Sequence, residues 1–163
     1  MITQPMSHDI RIATVNDATK ACAVLRKSIT ECCVLDHRND PALIDAWLRN
    51  KTLENVAAWI DNPQFDSVVA TAKSEILGFA LSQHDEITLC YVLPDVRFTG
   101  VGKAMLHTLE VLARQRGVAV LRLDSTLTAN AFYRRNGFAS TGPTRLIFGM
   151  PALPMSKALF PTS

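Results

Sequence analysis

The sequence has no apolar run approaching the roughly eighteen residues of a membrane-spanning helix, and its first ten residues, MITQPMSHDI, lack the charged and apolar regions of a signal peptide. A membrane partner is therefore not expected, and the cytoplasm is the expected compartment. Charge of one sign is also scarce. A formal net charge of +2, with lysines and arginines scattered along the chain, carries no nucleic-acid signature. Only four cysteines occur, Cys22, Cys32, Cys33 and Cys90, each inside an apolar or amphipathic segment, which suits free thiols in a reducing compartment. Cys33, Asp36 and His37 are metal-ligand types, but no second Cys-x-x-Cys or His pair completes a tetrahedral set, so no metal is expected. Internal repeats, low-complexity tracts and linkers are missing too. The 163 residues, 48% of them hydrophobic, read as one domain over 1–163 that buries a core without staples.

What is present alternates between two periods. Residues 8–15 alternate as a half-buried strand, after which Asn16 and Asp17 offer caps for a helix with Ala21, Val24, Leu25, Ser28 and Ile29 on one side. Residues 32–41 lose the period and read as a loop. Two short helices follow, one through Leu43, Ile44, Trp47 and Leu48, the other capped by Thr52 and carrying Leu53, Val56, Ala57 and Ile60. Trp47 and Trp59 are assigned to packing. Residues 65–71 and 76–83 form a hairpin in which Gly78 marks a close backbone approach, and His84, Asp85 and Glu86 turn the chain into a further strand. Gly117 stops a long helix, residues 118–123 follow as a parallel strand reached by a crossover, then come a helix around Tyr133, a strand from 138 to 140 toward Phe148, and a final run at 155–160. The expected class is α/β, mixed α+β.

The chain is organised around residues 86–115. An apolar run (Ile87, Leu89, Cys90, Tyr91, Val92, Leu93) ends at Pro94, and a helical period begins at Val101. Between them stands Arg97-x-x-Gly100-x-Gly102-Lys103. Two glycines let a backbone approach a ligand and deliver it to the first turn of a helix, where free N–H groups and the dipole favour a phosphate. A Walker loop needs glycine where Arg97 stands and Ser or Thr where Ala104 stands; a dinucleotide fingerprint needs glycine where Met105 stands. Both patterns fail at those positions, although a nucleotide-phosphate binder stays open.

The segment resembles the acetyl-CoA loop of the GNAT superfamily of N-acetyltransferases, Gln/Arg-x-x-Gly-x-Gly/Ala after a strand. The stretch Ala129-Asn130-Ala131-Phe132-Tyr133-Arg134-Arg135-Asn136-Gly137-Phe138 resembles the family's second signature at the expected distance. The resemblance implies a central mixed, mostly antiparallel sheet of six to seven strands with four to five helices, splayed at the strand before the loop. It implies acetyl-CoA as cosubstrate and no metal. Pyrophosphate would sit on Arg97, Phe98, Thr99, Gly100, Val101, Gly102 and Lys103, and pantetheine on the backbone of Cys90, Tyr91 and Val92. Tyr133 would protonate the leaving thiolate, with Asn130, Phe132 and Arg135 near the cofactor. Thr126, beside Ser125, stands where many members carry Asn, and its hydroxyl would replace that amide as the pantetheine hydrogen-bond partner. Glu86 and His84 are the base candidates, each also readable as an ordinary turn residue. The residues between the first helix and the second strand would wall the acceptor pocket. The implied activity is acetyl transfer to a primary amine, on a small molecule or peptide, by direct attack through a tetrahedral intermediate; the family allows a homodimer. A non-catalytic acyl-CoA-binding module of the same fold is the alternative.

Overall fold

A computed structural model describes residues 8–160. The strands are β1 (Asp9–Ile12), β2 (Phe65–Ala72), β3 (Glu75–Gln83), β4 (Glu86–Val92), β5 (Val120–Ser125), β6 (Ala139–Ser140), β7 (Arg145–Ile147) and β8 (Met150–Ala158). The helices are α1 (Ala18–Cys32), α2 (Val34–His37), α3 (Pro41–Leu48), α4 (Leu53–Asp61), α5 (Val101–Gln115) and α6 (Asn130–Arg135). The sheet runs β1-β2-β3-β4-β5-β8-β6 with β7 paired to β8, and only the β4–β5 pairing is parallel. Eight strands exceed the expected six to seven because β6 and β7 are separate pieces of two and three residues. Among the described residues, no helix is long and apolar enough to cross a membrane.

Both faces of the sheet are covered, which is why β3 reads as an unbroken buried run from Ile76 to Ser82. Val68 and Ala70 of β2 point to the face where α5 lays Val101, Met105, Leu106, Leu109 and Ala113. Val69 points the other way, to α1 with Ala21, Val24 and Leu25, and to Val56 of α4. Each fully buried aliphatic side chain in these layers is worth about 1.5–3 kcal/mol. Gly78 is the point of closest contact between β3 and α5: a Cβ there would lie 2.7 Å from Met105 Cε. The expected close approach is thus a helix crossing.

Several boundaries differ from the sequence reading. Asp17 is the N-cap residue of α1, but its side chain makes no cap bond to that helix; its carboxylate accepts the Thr14 N–H at 2.8 Å and a bidentate pair from Arg11 at 2.7 and 2.8 Å. That pairing holds the Asp17 carboxyl down at about 2. The expected loop at 32–41 contains the single turn α2, stopped where Arg38 and Asn39 take positive φ of 52° and 58°. The closing strand β8 begins at Met150 and not near 155, because Pro151 and Pro154 punctuate a strand that the sequence pattern alone breaks.

Candidate active site

After β4 the chain passes Leu93 into a tight turn, Pro94–Val96, which Thr99 locks by donating its hydroxyl to the Val96 carbonyl at 2.6 Å. Phe98 has φ +65° and is 87% exposed, with the Arg97 guanidinium 4.8 Å from its ring centroid. Gly100 sits at φ +92°, a conformation that glycine adopts without penalty, and is the N-cap of α5. The next three amides, of Val101, Gly102 and Lys103, have no acceptor among the described residues, so the helix presents its free donors outward. Gly102 needs no special φ. A Cβ there would meet Phe132 at 3.5 Å, an ordinary contact, so nothing in the protein's own packing requires glycine. Lys103 is exposed beside it.

The β4 strand pairs with β3 along its length but with β5 only at Glu86↔Arg122. The sheet opens from there, and Cys90, Tyr91 and Val92 have no partner on the β5 side. Their register matches Ala80, Phe79 and Gly78 of β3. The bulge on this strand lies earlier than the pantetheine positions, between the pairs Leu81↔Leu89 and Ser82↔Ile87, leaving Thr88 as the extra residue.

Tyr133 on α6 is 7% exposed and packs its ring against Phe132 (5.2 Å) and Phe138 (5.7 Å). Burial holds its phenol well above the ordinary tyrosine range, with the Cys90, Tyr91 and Cys33 side chains as its electrostatic neighbours. Burial likewise pushes the Cys90 and Cys33 thiols up to about 12, so both stay protonated and unreactive. All four cysteines are free.

The loop between β5 and α6 is tied to α2. Asp36, buried, accepts the Leu127 N–H at 2.6 Å, the Thr128 hydroxyl at 2.6 Å and the Thr128 N–H at 3.2 Å. Thr126 accepts the Ala129 N–H at 3.1 Å, so its hydroxyl shapes the same turn. Asn130 accepts from Arg134 Nε at 2.8 Å, and Arg135 is exposed on the same helix. His37 is fully buried and uses both ring nitrogens: Nε2 faces the Ile29 and Thr30 carbonyls at 2.9 and 3.1 Å, while Nδ1 accepts the Asn39 N–H at 3.0 Å. Those partners fix the neutral Nε2–H tautomer and leave no lone pair for a metal. Among the described residues no group of three or more His, Cys, Asp or Glu side chains is placed to hold one.

A cleft of about 200 Å³ opens beside the splay. Glu86, Thr88 and Tyr91 of β4 line it, with Asp124 and Thr126 on the β5 side and Asp36, Trp47 and Lys51 from the helical region. The β7–β8 hairpin closes it with Phe148 and Met150. Sequence reasoning placed Glu86 and Thr126 near chemistry and assigned this helical region to the acceptor wall. It missed Asp36 as a clamp, Asp124, and Phe148, whose φ of +53° at a hairpin turn turns its ring over Lys51 Nζ at 5.1 Å. It also missed Lys51, 4% exposed, whose only sequence signal is a short polar break between two helices. Trp47 is buried in a small apolar cluster and also borders the cleft. His84 stands apart: it is exposed at the β3–β4 turn with φ +54° and lines neither this cleft nor the neighbouring one on β5 and β8, which Glu86 and Asp124 share.

The architecture is shared with known proteins. A GCN5-related N-acetyltransferase of Rhodopseudomonas palustris superposes with a TM-score of 0.83 at 24% identity, covering 97% of this chain and 99% of that one. The PaiA N-acetyltransferase of Thermoplasma acidophilum, solved in complex with coenzyme A, gives 0.80 at 22% identity over 94% of this chain and 99% of its own. A Bacillus subtilis (strain 168) protein carried under an acetyltransferase name is 25% identical over 89 residues, which is 55% of this chain and 58% of that protein's length. A family profile described as an acetyltransferase (GNAT) domain matches residues 37–159, a span that takes in α3, α4, the splay, the glycine loop and β8, and the chain belongs to that family.

Proposed function

We propose that the protein is an N-acetyltransferase that moves the acetyl group of acetyl-CoA to a primary amine by direct attack. The observation that carries the reading is the continuity of one unsatisfied backbone surface. The β5-side edge of Cys90, Tyr91 and Val92 leads into a turn and then to the unaccepted amides of Val101, Gly102 and Lys103. A linear ligand with amides in its middle and a pyrophosphate at one end fits that surface. A Cβ at Gly102 would make only ordinary contacts, with Phe132 at 3.5 Å, so the protein's own packing does not demand glycine there, and close approach of such a ligand to the backbone gives a reason for it. Arg97 and Lys103 add positive charge there. A structural neighbour is bound to coenzyme A, which supports the same choice.

Acetyl-CoA would supply an activated thioester; the chain's own residues position it and move protons. The amine nitrogen would add to the thioester carbonyl carbon to give a tetrahedral intermediate, and its collapse would break the carbon–sulfur bond and release coenzyme A. One proton leaves the nitrogen, and Glu86 is the base assigned to receive it through water, a reading supported by its position in the cleft where β4 and β5 part. One proton must reach the sulfur, and the Tyr133 phenol, kept neutral by burial, is the donor assigned to it. His84, outside the cleft, is the weaker base candidate. Burial keeps the Cys33 and Cys90 thiols protonated, and no cysteine lines either cleft among the described residues, so no covalent acyl-enzyme is invoked.

The test is incubation with acetyl-CoA and a panel of amines, following free thiol. Amine-dependent thiol release supports the reading. Coenzyme A binding without release for any amine would identify a non-catalytic acyl-CoA-binding module instead.

A further inference from the structure

Lys51 stands out among the charged side chains of the cleft. It lies between α3 and α4 and is 4% exposed, yet its ammonium makes no hydrogen bond or ion pair among the described residues; its single recorded contact is the face of Phe148. A buried cation without a counter-charge is costly, and chains normally pair it or replace it with an apolar residue. Burial is the sole cause that lowers its pKa, to about 8, so no carboxylate of the protein compensates it. It is therefore predominantly protonated at neutral pH. Arg145 is already committed to Asp124 at 2.6 Å, and Arg122 to Asp85 at 2.9 Å.

The opposite side has the complementary problem. Glu86 borders the cleft with no hydrogen bond or ion pair to its carboxylate among the described residues, its charge offset only at longer range by Arg122 and Arg145, and beside it Asp124 keeps its Oδ1 buried without a hydrogen bond. One cleft of about 200 Å³, about seven water volumes, is thus bordered by an ammonium, of Lys51, and a carboxylate, of Glu86, neither of which makes a hydrogen bond or ion pair among the described residues. Trp47, Leu89 and Met150 supply an apolar lining between them. A lone amine would leave Lys51 unpaired and add a second cation. A phosphate dianion would face Glu86 and Asp124 with only one free cation to hold it. A small molecule carrying one carboxylate and one ammonium satisfies both sides together.

We propose that the acceptor is a free amino acid, its carboxylate seated on the Lys51 ammonium and its amine turned toward Glu86. The proposal rests on the acetyl-transfer reading for the fate of that amine, but the carboxylate subsite is measurable without turnover. Phe148 holds the ammonium from above, so the strained hairpin turn serves the subsite.

The experiment uses the full chain with coenzyme A present. Binding of the twenty common L-amino acids, each beside its own carboxamide, is measured by calorimetry, and thiol release from acetyl-CoA is followed for the same pairs. At least one free acid should bind roughly tenfold or more tighter than its carboxamide. Lys51→Met should abolish that preference by weakening the acid alone, and Lys51→Arg should restore part of it; a melting curve checks that each variant is folded. Equal binding of acids and carboxamides, no binding of either, or a preference that survives Lys51→Met overturns the proposal, even if some other amine releases thiol. Preferential binding of an acid with no thiol release for any amine upholds the carboxylate subsite and sinks acetyl transfer.

Discussion

Asp36 and Thr128 are 92 positions apart in sequence, yet the Asp36 carboxylate accepts both the hydroxyl of Thr128, at 2.6 Å, and its N–H, at 3.2 Å. Through this pairing and the Leu127 amide, a single turn of helix after α1 fixes the loop that launches α6, the helix of Tyr133. The two halves of the candidate site, the acceptor wall and the helix at the splay, are held in register by one carboxylate.

Replacing that carboxylate therefore disturbs placement as well as stability. Hydrogen bonds to a charged group are each worth about 1.5–3 kcal/mol. Asp36→Ala is expected to lower unfolding free energy by about 2–4 kcal/mol, since three donors lose one buried acceptor. Asp36→Asn, which keeps one acceptor oxygen, should cost about half as much. Denaturant titration reads the stability, and kcat should fall in both variants while acetyl-CoA affinity changes little.

The two loop glycines make different demands and should fail differently. Gly100→Val forces a β-branched residue to φ +92° and should lower the melting temperature as well as weaken coenzyme A binding. Gly102→Val meets no conformational obstacle, so its melting temperature should stay near wild type while coenzyme A affinity drops at least roughly tenfold, about 1.4 kcal/mol. Calorimetry with coenzyme A decides it. Unchanged affinity in Gly102→Val would take the loop out of the cofactor site.

Lys51 carries a pH signature of its own. Its pKa falls from 10.5 in the unfolded chain to about 8 in the fold, so below pH 8 both states are protonated and the fold bears the full cost of the buried charge. That cost disappears as pH rises from about 8 to 10.5, because the folded state gives up its proton first. Lys51→Met should consequently be more stable than wild type at pH 7, by about 1–3 kcal/mol after the cation–π contact with Phe148 is allowed for. The gap should close by pH 10. Parallel urea titrations at pH 7 and 10 measure it, and a gap that widens with pH would contradict the burial argument.

The sequence made the cofactor side legible and left the acceptor side dark, for a physical reason. A loop such as Arg97 to Lys103 must repeat one backbone geometry, so its glycines and the following helical period are written locally. The splay was implied by family resemblance, and its single pairing at Glu86↔Arg122 agrees with it. Asp36, Lys51 and Phe148 act only through contacts made by distant segments. In sequence, Asp36 lies in a polar loop, Lys51 in a helix break, and Phe148 in what reads as a strand. Nothing local marks an aspartate that will accept from residue 128, or a lysine that burial will strip of water. Strand β8 was obscured by its prolines: Pro151 stands opposite Leu146 of the three-residue β7, and Pro154 opposite Asp124 of β5.

Tyr133 offers the sharpest test of chemistry against packing, because its two contributions separate cleanly. The ring contributes contacts with Phe132 and Phe138 that a phenylalanine would keep. The hydroxyl makes no hydrogen bond among the described residues, so its removal breaks no bond within the fold, and the melting temperature of Tyr133→Phe should stay at or slightly above wild type. If the hydroxyl instead delivers a proton to the departing sulfur, its loss should appear in the rate alone. Burial keeps the phenol protonated well beyond the pH at which a free thiol ionises, so the donor is loaded throughout the working range and kcat should not fall on its account toward alkaline pH. General acid catalysis is typically worth about 10² to 10⁴ in rate, roughly 3–5 kcal/mol of barrier. Tyr133→Phe should therefore lose that much kcat with acetyl-CoA affinity nearly unchanged, whereas retention of more than about half of wild-type kcat would show that the thiolate takes its proton from water and the ring is there to pack. A loss of only a few fold would point to product release as the slow step in the wild type, and single-turnover kinetics would then expose the chemical step directly.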